Sequence, residues 1–195
     1  VSATFTDFDH DGWLDLFVGN YLDYSLADHT PCFRESGQED YCTPAAHPPQ
    51  QDRHYRNRGD GTFDDVTVAS GVGAAFGPAL GVATADFDTD GWIDLFVAND
   101  QQENQLWMNQ GDGTFVEAAE KYGIHFTGHC TCALFADFDN DGDPDLFVGR
   151  SLRPSLYFEN RAGHFYHSPQ QKEFPMTAVS ASAADYNGDG LSYVS

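Results

Sequence analysis

The chain has 195 residues and a formal charge of −22, from 31 acidic and 9 basic side chains. That excess excludes nucleic acid and anionic membrane surfaces as partners, since both require basic patches. Hydrophobic residues at 41% and aromatics at 14% suffice for a packed core and exclude an acidic disordered chain.

The first element is a strand of small residues, "SATFT", which runs into "DFDHDGWLDLFV" at 7–18. Nearly the same letters return as "DFDTDGWIDLFV" at 86–97 and "DFDNDGDPDLFV" at 137–148, and a degraded copy, "DYNGDGLSYV", begins at Asp185. Each full copy carries carboxylates at positions 1, 3, 5 and 9: Asp7, Asp9, Asp11 and Asp15; Asp86, Asp88, Asp90 and Asp94; Asp137, Asp139, Asp141 and Asp145. Position 6 is Gly12, Gly91 or Gly142. This is what a hard cation asks of a short loop, because Ca²⁺ takes about six to eight oxygens and the chain must turn sharply around it. An EF-hand would need a Glu at position 12 and flanking helices. Here position 12 is Val18, Val97 or Val148, at the end of a Leu-Phe-Val run that favours a strand. The EF-hand and dockerin-like loops are therefore rejected in favour of a Ca²⁺ loop closed at position 9 between two strands.

After the first loop comes an insertion at about 24–51, marked as a surface loop without strands of its own by Pro31, Pro44, Pro48 and Pro49. It contains Cys32 and Cys42. The four Cys of the chain allow three pairings; the local one is favoured and would stabilise the fold by about 2.5–3 kcal/mol. Next, "YRNRGDGTF" (55–63) reads as strand, Gly-rich turn, strand, and it returns as "WMNQGDGTF" (107–115) and "YFENRAGHF" (157–165). The tripeptide Arg58-Gly59-Asp60 belongs to this turn, which recurs without the Arg, so the turn explains it better than integrin adhesion. An outer strand such as "TFDDVTV" completes a unit of four antiparallel strands.

Before each loop the alternate residues are small or nearly so: Ser2, Thr4, Thr6; Gly81, Ala83, Ala85; Cys132, Leu134, Ala136; Ser180, Ser182, Ala184. Crowding of inner strands around an axis requires this. Cys130 and Cys132, two apart on such a strand, are expected on one side and poorly placed to bond to each other. With His129 they could form a soft-metal site, although a small-residue axial strand is the simpler account.

The loops start 79, 51 and 48 residues apart, so the short intervals match a propeller blade and the long one a blade with an insertion. The fold class is therefore all-β, with β-propeller blades of four antiparallel strands. "VSATFTDFD" at Val1 aligns with "VSASAADYN" at Val179, giving three full blades plus an inner hairpin. With no charged-then-apolar leader before Val1, the chain is expected to be a mature form, an excerpt of a longer chain, or a protomer whose open edge at 191–195 pairs with another copy. No apolar run is long enough to span a bilayer.

With loops, strands and period in hand, the chain resembles the FG-GAP/VCBS repeat family of integrin alpha-like propellers, through "AFGPALGVATADFDTDGWIDLFVAN" and its Phe76-Gly77 pair. The "NRGDGTF" turn and the Cys-containing insertion look closest to secreted bacterial relatives of cartilage acidic protein. The resemblance implies a seven-bladed propeller segment over 1–195 with Ca²⁺ in each loop. The ligands would be the twelve carboxylates above, with the main-chain carbonyls of Trp13, Trp92 and Asp143 at position 7. The fourth loop keeps Asp185, Asn187 and Asp189 but has Tyr193 at position 9, so it is expected to bind more weakly than the other three or not at all. The expected function is a non-enzymatic, secreted calcium-binding scaffold for protein or glycan partners, adhesion or assembly. The alternative is a propeller enzyme with an axial site, for which the inferred axial side chains offer little acid or base chemistry.

Overall fold

The apolar runs after each acidic loop form the second strand of four-stranded antiparallel blades in the computed structural model, which describes residues 2–28, 31–167, 177–189 and 192–194. Blade one begins with β1 (Ser2–Thr6) and β2 (Asp15–Gly19). The insertion then contributes β3 (Cys32–Phe33) and β4 (Glu39–Asp40), after which β5 (Arg53–Asn57) and β6 (Phe63–Asp65) complete the order β1-β2-β5-β6. Blade two is β7 (Ala79–Ala85), β8 (Asp94–Glu103), β9 (Gln105–Asn109) and β10 (Phe115–Glu117). Blade three is β11 (Thr127–Ala136), β12 (Asp145–Arg150), β13 (Leu156–Arg161) and β14 (His164–His167). A last hairpin pairs β15 (Ala183–Ala184) with β16 (Tyr193–Val194). Of the edge at 191–195, expected to seek a partner strand, positions 191 and 195 lie outside the described residues.

Packing explains why "DLFVAN" is apolar throughout rather than alternating. Leu95 and Val97 face blade one, where they join Phe8, Phe17, Val72, Trp107 and Phe115. Phe96 and Ala98 face blade three and pack with Leu106, Met108, Leu146, Val148 and Phe158. A strand covered on both faces has no solvent side to colour polar. β2 has a neighbouring blade on one side only among the described residues, so Phe17 is buried while Leu16 and Val18 are half-buried. Each fully buried Phe or Leu in these interfaces contributes about 1.5–3 kcal/mol.

Inner strands of successive blades lie side by side, and Thr6 and Thr84 share a hydroxyl contact of 3.3 Å. A Cβ on Gly81 would stand 2.7 Å from Cys132 Cα, so the small residues on this face are required by backbone approach. At the outer rim the Phe115 N–H donates to Ser70 O at 2.7 Å and the Phe165 N–H to Tyr122 O at 3.1 Å, stitching each blade to the next.

Two expectations need correction. The insertion has a strand pair of its own, Cys32↔Asp40 and Phe33↔Glu39, closed by the Cys32–Cys42 disulfide. The disulfide sets the two chain segments side by side, and a ladder of two residues follows. Blades two and three are joined in one sheet, since Thr127 and His129 of β11 pair with Glu103 and Asp100 of β8. Second, the ladder between β11 and β12 shifts register between Cys130 and Cys132. The extra residue, Thr131, breaks the two-residue alternation. Cys130 therefore packs in the core between blades two and three, while the Cys132 sulfur lies over Gly149. The two thiols are free and do not share a side.

Candidate metal centres

The three acidic loops have nearly one geometry. In the first, the Asp11 N–H donates to Asp7 Oδ1 at 3.2 Å and to Asp9 Oδ1 at 3.3 Å, and the Gly12 N–H donates to Asp7 Oδ2 at 3.0 Å. The second loop repeats this with Asp90, Asp86, Asp88 and Gly91, and the third with Asp141, Asp137, Asp139 and Gly142. Position 6 lies at φ between +90° and +98°, a conformation that only Gly adopts without strain. Position 4 is also left-handed in each loop, at His10, Thr89 and Asn140.

These turns draw carboxylates together. One oxygen each from Asp7, Asp9 and Asp15 lies within 4.8 Å of the others, and the same holds for Asp86, Asp88 and Asp90 and for Asp137, Asp139 and Asp145. The remaining predicted carboxylates, Asp11, Asp94 and Asp141, are outside those close groups. Asp11 and Asp141 instead accept the N–H of Trp13 (2.8 Å) and Asp143 (2.9 Å).

Position 9 is the buried floor of each loop. Asp15, Asp94 and Asp145 are no more than 1% exposed, and each Oδ1 accepts the main-chain N–H of the turn Asn: Asn57 at 2.8 Å, Asn109 at 2.9 Å and Asn160 at 2.7 Å. Asp94 Oδ2 is buried and accepts no hydrogen bond of normal geometry, the Phe87 N–H standing only close enough to temper its charge. Burial pushes the Asp94 carboxyl up to about 8, and Asp88 and Asp90 add repulsion. Burial likewise raises Asp15, Asp145 and Asp88, and takes Asp139 to about 6 with help from Asp145 and Asp141. Convergent carboxylates held at such cost fit a cation, which would reverse every one of these shifts.

The position-7 residues do something the sequence did not announce. A Cβ on Gly59 would stand 2.7 Å from Trp13 Nε1, and one on Gly111 equally close to the Trp92 ring. Each indole lies over the turn of its own blade. The third blade has Asp143 there instead, its carboxylate accepting the Ala162 N–H at 3.0 Å, and the turn then carries Ala rather than Gly. Arg58-Gly59-Asp60 is absorbed in the same turn: Arg58 pairs with Asp64, and Asp60 Oδ1 accepts both the N–H and the hydroxyl of Thr62.

In the fourth loop Ala184 pairs with Tyr193, the register that Ala85 keeps with Asp94, so Tyr193 does hold position 9. Its hydroxyl donates to Asp189 Oδ2 at 2.7 Å, Asn187 donates to the same oxygen at 2.9 Å, and the Gly188 N–H donates to Asp185 Oδ1. No close carboxylate group forms there among the described residues.

At the opposite end of the blades, Asp100 joins three of them. It accepts the Tyr21 hydroxyl at 2.9 Å and meets His129 Nδ1 at 3.2 Å. His129, Cys130 and Cys132 do not converge, because the bulge separates the thiols.

A family model described as FG-GAP-like repeat matches residues 36–97, 86–148 and 137–194. Cartilage acidic protein 1 of Xenopus tropicalis is 28% identical over 152 residues, covering 70% of this chain and 23% of that protein. Cartilage acidic protein 1 of Homo sapiens is 32% identical over 95 residues, 48% of this chain and 14% of that protein. The chain thus spans less than a quarter of the length of these relatives. Three successive, overlapping repeat matches run from residue 36 to residue 194, each ending on the acidic loop that opens the next unit, and the chain belongs to the FG-GAP-like repeat family.

Proposed function

We propose that the chain is a Ca²⁺-stabilised extracellular scaffold, one propeller segment over 1–195 with a binding insertion at about 24–51. The observation that carries this reading is the threefold recurrence of three carboxylate oxygens within 4.8 Å of one another, with the buried position-9 Asp among them in the first and third loops. Oxygen-only donors suit Ca²⁺ better than softer metals. The ligands would be Asp7, Asp9, Asp11 and Asp15 in the first loop and their counterparts in the second and third, with the carbonyls of Trp13, Trp92 and Asp143. Asp185, Asn187 and Asp189 would make a weaker fourth site.

The partner-binding surface is assigned to the insertion. There Leu26, Phe33 and Tyr41 stand exposed beside a cavity of about 540 Å³ lined by Tyr24, Glu39, Tyr41 and His47. Aromatic rings with carboxylates suit a protein or glycan. The name of the matched relatives supports an extracellular setting, as does the disulfide. The "NRGDGTF" turn beside a disulfide-tied insertion supports the finer placement among secreted bacterial members with VCBS-type repeats. The described residues include no helix long and apolar enough to cross a membrane.

Calorimetric titration of the metal-free chain with Ca²⁺ tests the reading. Three sites lost on Asp→Asn substitution at positions 1 and 3 of each loop are expected; heat unchanged from buffer would overturn it. A second reading, an enzyme, is favoured by one observation only, the Tyr21–Asp100–His129 cluster at the end of the blades away from the acidic loops. It requires a small substrate that protects His129 from carbethoxylation.

A further inference from the structure

The Asn of each hairpin turn makes more hydrogen bonds than a turn needs. Asn109 Oδ1 accepts the Gly111 N–H at 3.0 Å, which is the turn itself. Its main-chain N–H holds Asp94, the floor of loop two, and its Nδ2 donates to Ile93 O at 3.2 Å in that loop. The same Nδ2 also donates to Phe8 O at 2.9 Å, and Phe8 is position 2 of loop one, between ligand candidates Asp7 and Asp9. Asn160 repeats the set one blade on, reaching Pro144 O at 3.1 Å in its own loop and Phe87 O at 2.8 Å in loop two. Asn57 reaches Leu14 O at 2.9 Å in its own loop.

The position-2 residue is held from both sides. The Phe8 N–H donates to Asp15 Oδ2 at 3.2 Å within its loop, while the Phe8 carbonyl is held by Asn109 from the next blade. A hydrogen-bonded path therefore runs from Asn57 through Asp15, Phe8 and Asn109 to Asp94. It resumes at Phe87 and passes through Asn160 and Asp145 to Phe138. Its one break is at the buried, unpartnered Asp94 Oδ2.

We propose that Asn57, Asn109 and Asn160 are positioning residues for the calcium loops, and that Asn109 and Asn160 each couple two neighbouring sites. This rests on the calcium reading above. Ordering loop one fixes Phe8 and with it Asn109, whose main-chain N–H then presents Asp94 in the geometry that loop two needs. Coupling of this kind is reciprocal and is carried by hydrogen-bond networks with a shared member.

The test is a Ca²⁺ titration of the full chain in which each site is read alone, the other two loops being silenced by Asp→Asn at positions 1 and 3. Asn109→Asp keeps the turn acceptor and removes the Nδ2 donor. It should weaken sites one and two by about five-fold or more and leave site three unchanged. Asn160→Asp should weaken sites two and three, and Asn57→Asp site one alone. An added carboxylate by itself favours Ca²⁺, so a loss reports the missing donor; Asn109→Ser checks the same point without charge. Site one should also bind more tightly with loop two intact than with it silenced, a difference that Asn109→Asp abolishes. A uniform loss at all three sites, or an unchanged site one in Asn109→Asp, overturns the proposal while leaving calcium binding standing. Absence of Ca²⁺ binding by the unmodified chain overturns both. Should Asn109→Asp not fold in EGTA, the Asn160→Asp pattern alone decides.

Discussion

Asp52 Oδ1 accepts the main-chain N–H of Asn20 at 2.7 Å, across the end of the first blade. One blade on, Asn104 Oδ1 accepts the Asn99 N–H at 2.8 Å in the same place, and Asn104 Nδ2 also finds Phe126 O at 3.0 Å. Blade one thus uses a carboxyl where blade two uses an amide. The second oxygen of Asp52 is buried without a partner, and burial pushes the group up to about 7.

A carboxyl raised above its unfolded value of about 3.9 contributes stability below that pH and loses it as pH rises through 7. Asp52→Asn should therefore stabilise the chain by about 1–3 kcal/mol at pH 8 and by much less at pH 4. Urea unfolding at the two pH values checks this; an equal effect at both would show that the Asp52 charge is not the cause.

His54 has the opposite sign. Both ring nitrogens are buried without partners, against Phe8 and Phe115, and burial takes the imidazole down to about 4. Its contribution is present above the unfolded value of about 6.5 and lost as pH falls through 4. Leu106 occupies the matching register position in blade two. His54→Leu should raise stability by about 1–3 kcal/mol at pH 7, with a larger gain at pH 5.

Removal of Ca²⁺ should lower the thermal midpoint by many degrees. A ligand that binds only the folded chain stabilises it by about 2.7 kcal/mol per site at a hundredfold excess over Kd. Scans in millimolar Ca²⁺ and in excess EGTA that coincide would dismiss metal-linked folding.

Anomalous scattering from crystals grown in Ca²⁺ should show three strong peaks and a weak or empty fourth loop. Tyr193 holds the register of the position-9 carboxylates, so Tyr193→Asp should raise the occupancy of that loop. A fourth peak as strong as the others in the unmodified chain would count against the role given to position 9.

Thr89 is β-branched at φ 59°, a conformation that costs such residues roughly 1–2 kcal/mol. Its hydroxyl bond to Asp88 O, at 2.8 Å, offsets part of this. Thr89→Asn, the residue type of loop three, should stabilise the metal-free chain by about 1 kcal/mol, measured in EGTA.

The sequence alone determined most of what is closed within about a dozen residues. The acidic loops, their Gly at position 6, the Leu-Phe-Val strands and the "NxGDG" turns are each closed by hydrogen bonds between near neighbours, and their recurrence gave the blade period. The Cys32–Cys42 bond belongs here too, since a short closure needs no knowledge of the fold. The strand pair in the insertion escaped because its two-residue segments carry no strand pattern of their own, and the bulge at Thr131 because it depends on the register against β12. The Asn of the turn was visible three times, and its reach to Phe8 was not: 101 residues separate Asn109 from that carbonyl, and only stacking of blade two on blade one brings them within 2.9 Å. The same stacking buries Asp94 and His54 and lays the first and second loops close enough for His10 to stack on Trp92 at 4.3 Å. Local hydrogen-bond geometry is written in residue order, whereas burial and contact between blades arise from which apolar faces meet, and only the tertiary structure decides that.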